Sequence, residues 1–108
     1  MTDVSFGYNG FPQGCNDSST LLSFRPARLA RTIHAELNAI LKARESLIGY
    51  RLYCTRHPCA QCAAAIVQVK IGEVYYKRNE ELEERWKDSI AYADQLFAEG
   101  KVKVFWIE

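Results

Sequence analysis

Residues 50–76, YRLYCTRHPCAQCAAAIVQVKIGEVYY, are the stretch whose reading decides the fold. Its character changes twice. Residues 50–55 (YRLYCT) alternate and are rich in strand formers, which predicts a strand. Pro58 stands where a proline opens a helix, because the first helical N–H has no partner to lose. Residues 59–70 are alanine-rich and made of helix formers, so a helix is predicted there. Residues 73–76 (EVYY) predict another strand.

Downstream, Leu82, Trp86, Ile90, Ala93 and Phe97 recur on one face and predict a helix over residues 80–98, stopped by Gly100. Glu80, Glu81, Glu83 and Glu84 crowd its start, where they favour the helix dipole and face solvent. Residues 102–107 (VKVFWI) predict a final strand. Upstream, Ile33, Leu37, Ile40, Leu41, Arg44 and Leu47/Ile48 follow helical spacing over residues 33–48, with Thr32 as N-cap and Gly49 as terminator. Residues 3–8 (DVSFGY) predict a strand. A loop follows from Asn9-Gly10 through Pro12, Gly14 and the polar run Asn16-Asp17-Ser18-Ser19. Strands alternating with helices imply an α/β fold with helices packed on a central sheet.

The chain has 108 residues, 48% apolar and 25% charged. That is enough for a single domain over residues 1–108, and it excludes disordered, collagen-like and coiled-coil classes. Fourteen basic against thirteen acidic residues leave a net charge of +1. A protein built to neutralise many phosphates carries a basic excess, so nucleic acid is not the expected partner and a small ligand is. Arg25, Arg28 and Arg31 form a local basic cluster that suits solubility or a single phosphate contact. The longest apolar run is residues 62–67, far short of the ~20 residues a bilayer span needs. With no signal core at the start, a cytoplasmic location is expected.

Four cysteines are too sparse for a disulfide framework, and Cys59-x-x-Cys62 suits metal or redox chemistry better. Cys54, in a predicted strand, reads as a small core residue. His34-Ala35-Glu36 stands near the start of one predicted helix, and Cys59 and Cys62 stand in the first turn of another. A helix start favours thiolate, the form that binds zinc. One imidazole and two thiolates leave a fourth tetrahedral position for water, the mark of a catalytic zinc site. Bound zinc brings the pKa of that water to about 7. Glu36, two residues beyond His34, is placed to carry protons without being a ligand.

Each fragment alone has an ordinary reading: a surface histidine, a redox pair, a solvated carboxylate. Cys15 or His57 as a fourth ligand would instead close the site into a structural staple without catalysis. In this order, however, His-x-Glu followed by Pro-Cys-x-x-Cys is the signature of the zinc deaminases.

The sequence resembles the cytidine/deoxycytidylate deaminase family over about residues 4–76, closest to its deoxycytidylate branch. The likeness rests on Gly7-Tyr8-Asn9-Gly10-Phe11-Pro12 with Gly14-Cys15-Asn16-Asp17, and on His34-Ala35-Glu36-Leu37-Asn38-Ala39-Ile40. It continues through Leu52-Tyr53-Cys54-Thr55, Pro58-Cys59-Ala60-Gln61-Cys62-Ala63 and Ile71-Gly72-Glu73-Val74-Tyr75-Tyr76. The resemblance implies a three-layer sandwich with a central mixed β-sheet. It implies Zn2+ held by His34, Cys59 and Cys62, Glu36 as the catalytic proton carrier, and hydrolysis of dCMP to dUMP and ammonia. Other cytosine or adenine substrates are the alternatives within the same fold. Asn9 is implied to bond the deoxyribose, the Ala35 N–H the pyrimidine carbonyl, and Tyr76 to lie near the nucleotide. Ile33, Tyr53 and Tyr76 are candidate walls for the base. In many relatives the loop at Gly10, Gly14 and Cys15 also binds a deoxynucleoside triphosphate regulator.

Family members usually carry a helix and a strand before the GYNG segment, whereas six residues precede Gly7 here. The fold is therefore expected to lack that first helix and strand. The gap would be filled by residues 3–8, by a neighbouring subunit or by sequence upstream of the recorded start. A homo-oligomer is expected on the same grounds.

Overall fold

A computed structural model of the protein describes residues 4–108. The chain forms two compact units, one ending at Lys42 and the other spanning Ala43–Glu108.

In the first unit, helices α1 (Ser19–Ser23) and α2 (Arg25–Arg31) precede α3 (Ala35–Lys42). Residues 4–8 do not form the strand expected over residues 3–8, and Asp3 lies outside the described residues. A strand needs a laddered neighbour, and the neighbour here is the backbone of a helix. A Cβ on Gly7 would stand 2.3 Å from the Ala35 carbonyl oxygen and 2.5 Å from the Ala39 nitrogen. The Ser5 hydroxyl donates to the Ala39 carbonyl at 2.7 Å, and the Asn38 side-chain amide donates to the Tyr8 carbonyl at 3.1 Å. Gly10 and Ile33 then make an isolated antiparallel bridge, with N–H to O distances of 3.2 and 2.8 Å.

Helices α1 and α2 occupy a span where no element was expected beyond the polar loop. Phe24 ends one and begins the other, and Pro26 sits in the first turn of α2. Thr32 terminates α2 and does not open α3: its hydroxyl and its N–H both donate to the Arg28 carbonyl. Helix α3 stops at Lys42, short of the predicted 48. Beyond it, Ser46 Oγ accepts the Ile48 N–H at 3.4 Å. Such a local bond competes with helix. Gly49 then turns at φ 76°, a left-handed conformation open to glycine.

The second unit runs β1 (Arg51–Cys54), α4 (Ala60–Gln68), β2 (Glu73–Lys77), α5 (Glu80–Arg85), α6 (Lys87–Glu99) and β3 (Lys103–Ile107). The strands lie in the order β1-β2-β3, and both pairings are parallel. The sheet expected to be mixed is thus wholly parallel among the described residues, because helices return the chain to the same end each time. In register, Tyr53, Tyr75 and Phe105 align in one row, and Cys54, Tyr76 and Trp106 in the next. The Tyr53–Tyr75 and Tyr75–Phe105 rings stack, with centroids 5.1 and 5.0 Å apart.

Helices α4 and α6 pack on each other. Ala63 and Ile66 of α4, Val74 of β2, and Ala93 and Phe97 of α6 form the dry centre. Gly100 serves this packing by having no side chain: a Cβ there would meet Val67 Cγ1 at 2.6 Å. The left-handed residue after α6 is Lys101, at φ 58°.

The helix predicted over 80–98 is two helices. Asn79 caps α5, its side chain accepting the Leu82 N–H at 3.1 Å while Glu83 accepts the Asn79 N–H at 2.7 Å. The backbone leaves helical geometry at Trp86 (φ −109°, ψ 23°), and the indole expected on the apolar face of one long helix is exposed. Among the described residues no helix is long and apolar enough to cross a membrane.

Candidate metal centre and active site

Cysteine 59 is the N-cap of α4, just ahead of the first turn in which it was expected. Cys62 is the third helical residue and is buried at 1% exposure. Pro58, fully buried, fixes the entry to the helix. His34 immediately precedes α3, and its carbonyl accepts the Asn38 N–H at 2.8 Å.

Among the described residues one group of side chains can hold a metal ion: His34, Cys59 and Cys62, with ligand atoms within 4.8 Å of one another. Zinc bonds of 2.0–2.3 Å in a tetrahedron set such atoms about 3.5–3.8 Å apart, so the donor set and the spacing fit Zn2+. Glu36, in the first turn of α3, stands outside this group, as do Cys15 and His57. The fourth-ligand alternatives therefore fail. Cys15 lies exposed on a loop, its N–H bonded to the Pro12 carbonyl at 3.2 Å. Both ring nitrogens of His57 are engaged elsewhere, at 2.8 Å from the Pro58 carbonyl and 2.9 Å from Asp94 Oδ1.

Asn9 and Ala35, expected to meet different parts of a nucleotide, meet each other. Asn9 Oδ1 accepts the Ala35 N–H at 2.7 Å. Ala35 is the first residue of α3, so its N–H has no partner within the helix. The segment after Asn9 turns through Gly10 and Gly14, the latter at φ 81° with open space around it. Tyr76 is buried, its ring edge-on to His57 with centroids 4.7 Å apart. Burial, then the charges of Glu83 and Asp94, hold its hydroxyl above the usual 10.0. Of the other candidate walls, Ile33 is half-buried in the bridge to Gly10 and Tyr53 is exposed in the aromatic row.

Sequence reasoning missed the support of the cysteine loop by α6. His57 is backed by Asp94, and the Ala60 N–H is taken by Ser89 Oγ at 3.0 Å. These partners lie 37 and 29 residues away in sequence, and only their shared place on α6 links them.

Residues 1–78 match the family model of the cytidine and deoxycytidylate deaminase zinc-binding region. The chain belongs to the cytidine and deoxycytidylate deaminase family, a family of zinc enzymes, as its His34, Cys59 and Cys62 cluster also indicates. Among its relatives is the uncharacterized deaminase in the luxG 3' region of Aliivibrio fischeri, 38% identical over 105 residues, covering 96% of this chain and 71% of that protein. A probable deoxycytidylate deaminase of Drosophila melanogaster is 39% identical over 100 residues, covering 82% of this chain and 47% of that one. The chain thus spans about half the length of the Drosophila relative. The fold matches the crystal structure of dCMP deaminase from the cyanophage S-TIM5 in complex with dCMP and dUMP. The TM-score is 0.69 at 31% identity, covering 96% of this chain and 72% of that one.

Proposed function

We infer that this protein is a zinc-dependent hydrolase that converts dCMP and water to dUMP and ammonia, with residues 1–108 as one deaminase domain. The observation that carries the reading is the clustering of one imidazole and two sulfurs within 4.8 Å, with Glu36 outside the ligand set. The deoxycytidylate substrate is supported by the cyanophage enzyme whose structure holds dCMP and dUMP.

In this reading His34, Cys59 and Cys62 hold zinc, which supplies Lewis-acid activation of water at neutral pH. Glu36 takes a proton from the attacking water and gives it to N3 of the pyrimidine. It then takes the remaining proton from the hydroxyl on C4 and delivers it to the departing amino group, so that C4 keeps the oxygen and loses ammonia. The Ala35 N–H and the Asn9 side chain turn from each other to the pyrimidine carbonyl and the deoxyribose. Their mutual bond of 2.7 Å holds both donors and acceptors in place beforehand. Tyr76 stays in the reading as a tyrosine near the nucleotide, and the Gly10, Gly14 and Cys15 loop as a site for a triphosphate regulator. A homo-oligomer in the cytoplasm completes it.

The test is ammonia release by zinc-loaded protein from dCMP, dCTP, deoxycytidine and cytosine. Turnover of dCMP is expected, and Glu36→Gln should abolish it while zinc content stays unchanged. No turnover of any of the four compounds overturns the reading.

A further inference from the structure

The cysteine loop takes part of its support from α6. Cys59 as N-cap makes no side-chain cap bond, and the amide that follows it, Ala60 N–H, is taken by Ser89 of α6 at 3.0 Å. One residue earlier, the Pro58 carbonyl lies 2.8 Å from His57 Nδ1. A carbonyl only accepts, so Nδ1 carries the hydrogen of this bond. The opposite nitrogen, Nε2, lies 2.9 Å from Asp94 Oδ1, also on α6. The imidazole side chain is 3% exposed, edge-on to Tyr76 at 4.7 Å and tilted against Phe97 at 6.2 Å. It therefore cannot swing away without opening the core.

Two side chains of one helix thus grip the backbone on either side of Cys59. We propose that Asp94, acting through His57, and Ser89 are positioning residues that fix Cys59 and the start of α4 in the geometry that receives zinc. The proposal rests on the reading of Cys59 and Cys62 as zinc ligands. Its physical basis is preorganisation: a loop already held in its ligating shape loses little conformational freedom when the metal arrives. Partners beyond the ligands commonly change metal affinity 10- to 100-fold when removed.

Asp94 has a side chain 57% exposed, so its truncation opens no cavity. The experiment uses the full chain, metal-free and then loaded with Zn2+ or Co2+. It compares wild type with Asp94→Ala, Asp94→Asn, Ser89→Ala and Ser89→Thr. Zinc affinity is read by competition with a chromophoric chelator, and ligand geometry by the thiolate-to-cobalt and d–d absorption bands. Asp94→Ala and Ser89→Ala should each weaken zinc binding roughly tenfold and alter the cobalt spectrum. Asp94→Asn and Ser89→Thr, which keep an acceptor, should recover most of both.

Wild-type affinity and spectrum in both alanine variants would overturn the proposal and leave the zinc reading intact, whatever happens to the melting temperature. Should either alanine variant fail to fold, the asparagine and threonine variants decide: a wild-type spectrum supports the acceptor role. A spectrum as perturbed as that of the surviving alanine variant overturns it. A wild-type chain that takes up neither metal overturns the zinc reading and this proposal with it.

Discussion

Replacing Gly7 by alanine adds one methyl group at a point where the first unit has no room for it. The new Cβ would lie 2.3 Å from the Ala35 carbonyl oxygen, 2.5 Å from the Ala39 nitrogen and 3.0 Å from the Ala39 Cα. All three atoms are backbone of α3, so no side chain can rotate aside. Carbon–oxygen contact needs about 3.3 Å, so segment and helix must part by roughly 1 Å. If the segment stays docked, the overpacking costs about 1–3 kcal/mol.

If it lets go, three hydrogen bonds are forfeited: Ser5 to Ala39, Asn38 to Tyr8, and Ala35 to Asn9. Each contributes about 0.5–1.5 kcal/mol net, so release costs about as much as the clash. Both routes lead to a loss of about 2–3 kcal/mol, and both disturb the amide at the head of the helix that follows His34. The assay is native-state hydrogen exchange at the Ala35 amide, together with kcat/KM for dCMP. Protection there depends on Asn9 alone, since a first-turn N–H has no helical partner. Faster exchange by 30-fold or more is expected at about 2 kcal/mol, with exchange in α4 and α6 unchanged. An alanine variant with wild-type exchange at Ala35 and wild-type turnover would refute the argument that this segment's place is set by backbone contact.

Three other outcomes follow from the same geometry. Phe97→Ala empties the centre of the second unit, where the ring is 2% exposed. It should lower stability to urea by about 3–5 kcal/mol. Asn9→Ala removes the distant cap of α3 and should cost about 1 kcal/mol in thermal unfolding, while Asn9→Asp retains it. The raised Tyr76 hydroxyl means the folded state keeps a proton that the unfolded chain releases near pH 10. Its contribution to stability is full below about pH 10 and is lost as pH rises through the folded value. Urea unfolding between about pH 9 and 11.5 should show that decline, and Tyr76→Phe should reduce it.

The second unit was legible because its signals are local. The switch from alternation at Arg51–Cys54 to a helix behind Pro58 and back at Glu73–Lys77 needs no distant partner. The candidate metal group of His34, Cys59 and Cys62 also leaves short-range marks in the sequence: Cys59 and Cys62 are three residues apart, and His34 stands two before Glu36. What escaped reading depends on contacts far along the chain. Val4, Phe6 and Tyr8 give residues 4–8 the composition of a strand, and only the backbone of α3, some thirty residues on, decides otherwise. Helices α1 and α2 are five and seven residues long and carry no buried residue. An apolar stripe could not announce them. Trp86 continued a helical stripe in sequence, yet the cap at Asn79 and the break at Trp86 turned it outward.

The two helix starts that carry the proposed zinc ligands share a feature. His34 precedes Ala35 as Cys59 precedes Ala60, each just before the first helical residue. That position normally falls to Ser, Thr, Asp or Asn, whose side chain folds back onto the helix amides. A side chain that holds a metal, as proposed for His34 and Cys59, cannot also do this. A capping side chain takes the N–H of the second or third helical residue, and the first amide goes to a remote side chain in both places, Asn9 for Ala35 and Ser89 for Ala60. Cys59→Ser should therefore separate the two demands, since serine caps well and binds zinc poorly. Zinc affinity should collapse, while the metal-free protein should gain about 0.5–1 kcal/mol by chemical unfolding. A metal-free Cys59→Ser protein less stable than metal-free wild type would mean that Cys59 holds the start of α4 by packing, and that the trade between capping and ligation does not operate there.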